Sequence, residues 1–232
     1  SVASHQLRTP LTAVRGLLSM QADGDMDKLP IERRREEQRH MLTAADRLNN
    51  IVNDLLDAME LEGGHLKFIF QPVDVLQLVN EAMDELKPDY DKKGLYLKLE
   101  KPAKLLPKVD AEPKYLREAI MDVIDNAEKY TNKGGVTIRV SCADDQVVIA
   151  VTDTGIGVPP SDLPRLFQKF SRGEKSSFQH ANGSGLGLFI IRNIMHEHHG
   201  EVTLHSDGEG QGTTVILSLP LRQSKNQILT TL

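Results

Sequence analysis

Met41, Ala44, Leu48, Ile51, Leu55 and Ala58 recur at strictly alternating spacings of three and four. That is a heptad seam, and it constrains this chain more than any other feature. It predicts a helix from about residue 31 to residue 60. Upstream, Leu7, Leu11, Val14 and Leu18 form a second apolar stripe at helical spacing. Gly24 and Pro30 bracket a break between the two, with Asp23, Asp25 and Asp27 supplying turn chemistry. The run Arg33 to Glu37 reads as a solvated face. Two such helices cannot bury both stripes by themselves. A four-helix bundle made by two chains is the expected solution; the alternative is a hairpin packed on its own C-terminal domain.

The pattern changes after Gly63-Gly64. Residues 65–70 and 95–99 alternate like strands, and 75–86 reads as an amphipathic helix. A long helix is predicted over 113–131. Residues 136–140 and 147–151 form an expected hairpin turning at Asp144-Asp145. A helix over 186–198 and strands at 201–204 and 213–219 close the chain. Mostly hairpin-like strand order with three helices predicts an α+β sandwich, with the helices on one face of the sheet. The simple βαβ alternation of a dinucleotide-binding fold is absent. The division is therefore 1–62, a linker at 63–66, a second domain at 67–222 and a tail at 223–232.

The second domain carries three polar motifs. Asp153-Thr154-Gly155-Ile156-Gly157 follows a predicted strand. Glycines let backbone approach a flat ligand closely, and the Asp153 carboxylate can accept a hydrogen bond from the exocyclic amine of adenine. Guanine presents an oxygen there, so the motif favours ATP over GTP; a tight turn after a strand is the simpler alternative. Gly183-Ser184-Gly185-Leu186-Gly187 opens the late helix, and amides at a helix start suit phosphate. On the helix at 113–131, Asp122, Asn126, Lys129 and Tyr130 share one side. Asn126 offers a neutral oxygen for Mg²⁺, Lys129 can balance phosphate charge, and Tyr130 can cover an adenine face. Alone, that helix reads as amphipathic with a polar outer side.

His5 sits near the start of the first helix, with Arg8 and Thr9 at i+3 and i+4 on the same face. Pro10 is expected to bend that helix beside it. A neutral imidazole is a competent nucleophile near pH 7. His5 stands only four residues from the first residue, so the chain reads as a fragment of a longer protein. His196, His198 and His199 lack the spacing of a helical zinc motif.

Net charge is −5, so no nucleic-acid footprint is expected. The single cysteine, Cys142, excludes a disulfide within the chain and fits a reducing compartment. No apolar run approaches membrane-spanning length.

In this order and at these spacings, the box Ser4-His5-Gln6-Leu7-Arg8-Thr9-Pro10-Leu11-Thr12 and the three downstream motifs resemble the catalytic core of a bacterial sensor histidine kinase, over roughly residues 1–222. The resemblance implies a dimeric helical hairpin carrying the phospho-acceptor His5, followed by an ATP-binding domain. It implies autophosphorylation of His5 from Mg-ATP and transfer to an aspartate of a response regulator receiver domain, with dephosphorylation of that partner as a further activity. Thr9 matches the position that helps place water for that reaction. Leu166-Phe167-Gln168-Lys169-Phe170-Ser171-Arg172 resembles the family's phenylalanine box, with residues 173–182 as a lid. Arg172 is a candidate phosphate contact or lid salt-bridge partner, and Asn126 with Asp122 the candidate metal ligands. Gly183, Gly185, Leu186 and Gly187 are candidate nucleotide contacts. A cytoplasmic location follows, with membrane contact only through an upstream segment of a longer parent. Two departures stand out. Gln6 replaces the usual acid beside the histidine, so it cannot take a proton; Asp122 replaces the usual Asn. They leave open a degenerate ATP-binding dimeric scaffold with little kinase activity. A chaperone- or topoisomerase-type ATPase fits less well, because those lack a phospho-acceptor helix.

Overall fold

The computed structural model describes residues 2–64, 66–100, 102, 104–171 and 184–221. Helix α1 (Val2–Ala22) continues through Pro10, which is buried. A short turn of 3-10 helix (Met26–Lys28) leads into α2 (Ile31–Glu62). Met26 is fully buried under this connection. The Arg34 guanidinium donates to the carbonyls of Met26 (3.1 Å) and Asp27 (2.8 Å) and pairs with the Asp27 carboxylate at 3.2 Å. Arg34 thus differs from the solvated face expected of its neighbours. It adds a second bond to the Met26 carbonyl, which also accepts the Leu29 amide, and ties the connection to the start of α2.

The heptad seam divides its work. Met41, Ala44, Leu48 and Leu55 are half-buried, and Ile51 and Ala58 are buried. Leu55, Ala58 and Leu61 pack against the main core of the downstream domain, whereas Ile51 is buried apart from it. Leu11 and Leu18 on α1, with Leu42, Val52, Leu56 and Met59 on α2, remain exposed. Packing on the second domain therefore covers only the lower end of the hairpin.

The second domain contains β1 (Gln71–Val73), α3 (Val75–Lys93), β2 (Tyr96–Glu100), β3 (Val109–Ala111), α4 (Pro113–Lys129), β4 (Gly135–Ala143), β5 (Gln146–Asp153), α5 (Gly187–Glu197), β6 (Glu201–His205) and β7 (Thr214–Pro220). Five strands form one sheet in the order β2-β4-β5-β7-β6. Only β2 and β4 are parallel within it. Strands β1 and β3 make a separate antiparallel pair. Val136, Ile138 and Val140 on β4 and Val147, Ile149 and Val151 on β5 are buried, while Arg139 and Thr152 at alternate positions are exposed. This period-two pattern means one covered face, and α3, α4 and α5 pack on it, with the burial of β-sheet and helix side chains forming one core. The expected α+β sandwich is the observed fold.

Three boundaries differ from the sequence expectation. Residues 66–70 join no strand ladder among the described residues; the first ladder begins at Gln71. The Phe68 and Phe70 rings instead meet the edge of His198 at 5.5 and 5.4 Å, and Phe68 also meets Tyr115 at 5.0 Å. Helix α3 runs seven residues past Leu86, through Pro88. Burial of Tyr90, whose hydroxyl donates to the Ile124 carbonyl at 2.7 Å, outweighs the hydrogen bond that proline forgoes. The β4–β5 hairpin turns at Asp144 and Asp145 as expected, both with left-handed backbone, but its strands are longer, and Asp153 is the last residue of β5.

His198 locks the base of this domain. It is fully buried. Its Nδ1–H donates to the Ile194 carbonyl at 2.7 Å, and Nε2 accepts the Glu112 amide at 3.0 Å. The start of α4 is thereby tied to the end of α5. Burial holds the imidazole pKa below its usual range, with the bond to the Ile194 carbonyl opposing. The unfolded chain therefore takes up a proton below about pH 6.5 that the native state refuses. Stability should be flat above that pH and fall as pH drops below it. His198→Gln should lose this acid-side slope and cost about 1–3 kcal/mol at pH 7.5 through the unpaired Glu112 amide. Urea unfolding of both proteins between pH 5 and 8 tests this.

Candidate functional site

Helix α4 has two faces. Leu116, Ala119, Ile120, Val123, Ile124 and Ala127 recur at helical spacing and are buried in the core. The opposite stripe is Asp122, Asp125, Asn126 and Lys129. Glu112 caps the helix by accepting the Tyr115 amide at 2.8 Å, with Pro113 at its first position. Asp122, Asp125, Asn126, Lys129 and Tyr130 all line a cavity of about 380 Å³. Its apolar walls include Val151, Ile156, Leu204 and Val215.

Asp153 ends β5 at that cavity and is buried. Its Oδ1 accepts the Gly155 amide at 2.8 Å and the Thr213 amide at 3.1 Å. Oδ2 takes part in neither bond. Burial raises the Asp153 pKa, and these two amides oppose the rise. Gly155 does not line the cavity; it makes the turn possible. A side chain there would meet the Tyr130 carbonyl at 2.4 Å and Asp153 Oδ1 at 2.8 Å. Gly157 does line it, at φ +67, where an added Cβ would meet the Gly208 carbonyl at 2.0 Å.

The loop ahead of α5 brings Ser184, Gly185 and Gly187 to the same cavity. The Leu186 amide donates to Ser184 Oγ at 3.0 Å. The Leu186 side chain points into the core and is fully buried, so any contact it makes with a ligand is through backbone. An added Cβ on Gly187 would have only Asn126 Nδ2 near it, at 3.8 Å. Open space thus separates the helix start from Asn126. Arg172 and Gly183 lie outside the described residues.

At the other end of the chain, His5 and Gln6 lie on the first turns of α1. The His5 side chain lies outside the described part. Gln6 Oε1 is buried and has no hydrogen-bond donor among the described residues. Thr9 is exposed.

The donor set fits a nucleotide with Mg²⁺. The cavity offers oxygens from Asn126, Asp122 and Asp125 beside one lysine. No group of three metal-binding side chains forms a self-sufficient metal site among the described residues. A Mg²⁺ ion that takes one or two protein oxygens and completes its shell with phosphates and water needs no such cage.

Sequence reasoning missed one side of this cavity. Asn50 and Asp54 of α2 also line it. Asn50, Asp54 and Asp57 are spaced four and three apart, one step off the heptad seam. That polar stripe resembles any solvated helix face, so nothing in the sequence marks it. In the fold it faces Glu118, Asp122 and Asp125 on α4, with Lys114 and Lys129 as counter-charges. Burial first, then the neighbouring carboxylates, raises the pKa values of Asp57 and Glu118. Burial also raises Asp54, against a Ser184 hydrogen bond and Lys129. Asp122 is pushed up to about 7 by burial and then by Glu118, Asp54 and Asp125, with Lys129 opposing. Lys129 loses by burial but gains more from its ion pair with Asp125, and its pKa is raised.

Asp122 therefore holds its proton more tightly in the native state than in the unfolded chain. Between about pH 4 and pH 7 this lowers stability as pH rises, and above 7 the cost is fully present. Asp122→Asn should leave the nucleotide-free protein unchanged near pH 4 and stabilise it at pH 8. A rise from 3.8 to about 7 sets the gain at up to about 4 kcal/mol, each kcal/mol raising Tm by about 2–4 °C for a chain of this size. Thermal unfolding at the two pH values measures it.

Two family models match the chain. Residues 1–64 match the His Kinase A (phospho-acceptor) domain. Residues 111–223 match the histidine kinase-, DNA gyrase B- and HSP90-like ATPase. The chain is 30% identical over 230 residues to the non-motile and phage-resistance protein of Caulobacter vibrioides, covering 97% of this chain and 27% of that protein. It is 33% identical to the circadian input-output histidine kinase CikA of Synechococcus elongatus, covering 94% of this chain and 29% of that one. Among solved structures, full-length ShkA in complex with AMPPNP superimposes with a TM-score of 0.70 at 28% identity, over 95% of this chain and 45% of ShkA. The chain thus spans under a third of the length of these two curated relatives. With a phospho-acceptor hairpin followed by this ATPase fold, the chain belongs to the sensor histidine kinase family, as a catalytic core.

Proposed function

We propose that this chain is the catalytic core of an ATP-dependent protein-histidine kinase of a two-component system. Residues 1–62 are its dimerisation and phospho-acceptor domain, 63–66 a linker, 67–222 its ATP-binding domain and 223–232 a tail. The observation that carries the reading is convergence. Asn126, Lys129, Tyr130, Asp153, Gly185 and Gly187, which come from separate elements, all line one cavity, in a chain whose first helix carries His5.

Bound Mg-ATP supplies the phosphoryl group. Asp153 Oδ2 accepts the adenine amine, since Oδ1 is engaged by backbone amides. Tyr130 covers the base edge beside the apolar walls. Asn126 and Asp122 hold the metal, Lys129 balances phosphate charge, and the amides at the start of α5 receive the phosphate tail. His5 attacks the terminal phosphorus; the P–N bond forms as the bond to the departing ADP oxygen breaks. Gln6 orients the imidazole through its buried carbonyl oxygen but cannot take its proton. The exposed apolar residues Leu11, Leu18, Leu42, Val52, Leu56 and Met59 are covered in a homodimer. Phosphohistidine then passes its phosphoryl group to an aspartate of a response regulator receiver domain, and Thr9 places water when that partner is dephosphorylated. Such a core works on the cytoplasmic side, where ATP is held. No helix among the described residues is long and apolar enough to cross a membrane; in a membrane-bound parent the anchor is a segment outside these residues.

Incubation with γ-labelled ATP tests the reading. The chain should gain acid-labile, base-stable label. His5→Ala should abolish that label with ATP binding intact. Free phosphate alone would mean an ATPase, and neither product would mean a scaffold.

Gln6→Glu should accelerate labelling at saturating Mg-ATP, because a carboxylate can take the proton that Gln6 cannot. General-base contributions are typically about a hundredfold, and the gain should fall short of that because the Gln6 oxygen already orients the ring. Single-turnover labelling compares the two proteins; a variant no faster than the parent would assign activation of His5 to another group.

A further inference from the structure

Resting on that reading, we propose that Asp54 of α2 is a positioning residue that docks the hairpin on the empty nucleotide site and gives way to the phosphates of ATP. Asp54 belongs to the hairpin, yet it lines the cavity formed by α4, β5 and the loop ahead of α5. Ser184, a buried residue of that loop, lines the same cavity and lies beside the Asp54 carboxylate. It also faces Lys129, the cavity's lysine. Ser184 in turn receives the Leu186 amide at 3.0 Å. One carboxylate of the hairpin therefore stands in the cavity beside both the loop and the cation that a phosphate tail would use.

Charge makes the two uses exclusive. Lys129 already faces Asp122 and Asp125 as well as Asp54. A phosphate tail brings several further negative charges into the same cavity. At a few ångströms, like charges near a protein surface repel by kilocalories per mole. Asp54 gives up Ser184 and Lys129 when the tail is bound, and the hairpin loses its polar hold on the loop. Other contacts among the described residues include the Glu62–Lys169 ion pair and the packing of Leu55, Ala58 and Leu61. Neither borders the cavity. Docking and nucleotide charge are thus linked, and linkage is reciprocal: docking through Asp54 must weaken ATP binding by the factor by which ATP weakens docking. Adenosine, which lacks the charge, should not feel it.

The test is equilibrium binding of adenosine, ADP and ATP, each with Mg²⁺, to the full chain at pH 8. The parent is compared with Asp54→Asn, which keeps an acceptor and removes the charge, and Asp54→Ala, which removes both. Asp54→Asn should tighten ATP binding about three- to tenfold, ADP less, and adenosine not at all. Asp54→Ala should do the same or more. Hydrogen exchange supplies the reciprocal reading: ATP should speed exchange in the last two turns of α2 in the parent, and those turns should exchange fast in Asp54→Ala before any nucleotide is added. Unchanged ATP affinity in both variants overturns the proposal, as does equal tightening of ATP and adenosine, which would mark Asp54 as a general structural contact. A parent that binds neither ATP nor adenosine overturns the ATP-binding reading itself, and this proposal with it.

Discussion

Everything at the site depends on burial of one face of α4. Leu116, Ala119, Ile120, Val123, Ile124 and Ala127 occupy the core beneath the sheet, and their removal from water is the largest favourable contribution this helix makes. Once they are inward, helical geometry leaves Asp122, Asp125, Asn126 and Lys129 no choice of direction. The same burial explains the crowding of charge there. The carboxylates stand at the margin of an apolar core, and desolvation is the leading cause of every raised acid in the site.

The site is also held from below. Asp153 projects from β5 because the sheet is longer than its hydrophobic runs, and two backbone amides fix one of its oxygens. Tyr90 and His198 tie α3 and α5 to the two ends of α4 through backbone atoms. The helix that carries the polar stripe is therefore fixed at several points, and its side chains meet a ligand without large reorganisation.

The lower end of α2 presents three different faces. Leu55 and Ala58 enter the core of the second domain, Asn50 and Asp54 reach its cavity, and Val52, Leu56 and Met59 stay exposed. A helix has room for three stripes, and the heptad pattern describes only one. The two arrangements considered for the hairpin, a bundle with a second chain and packing on its own domain, use different stripes and do not exclude each other.

Sequence periodicity by itself determined the hairpin, the change to mixed strands and helices, the turn at Asp144-Asp145 and the grouping of Asp122, Asn126, Lys129 and Tyr130, because each follows from local geometry within one element. It also marked Asp153 and the glycine loops, since few residues tolerate those backbones. Only the tertiary structure decided that residues 66–70 pack their rings on His198 and leave the sheet, that Leu186 fills the core, that Gly155 shapes a turn away from the cavity, and that Arg34 pins a connection. The same holds for Asn50 and Asp54. A polar residue on a helix looks alike whether it faces water or another domain, and the difference lies in contacts between residues far apart in the chain, which no local pattern encodes.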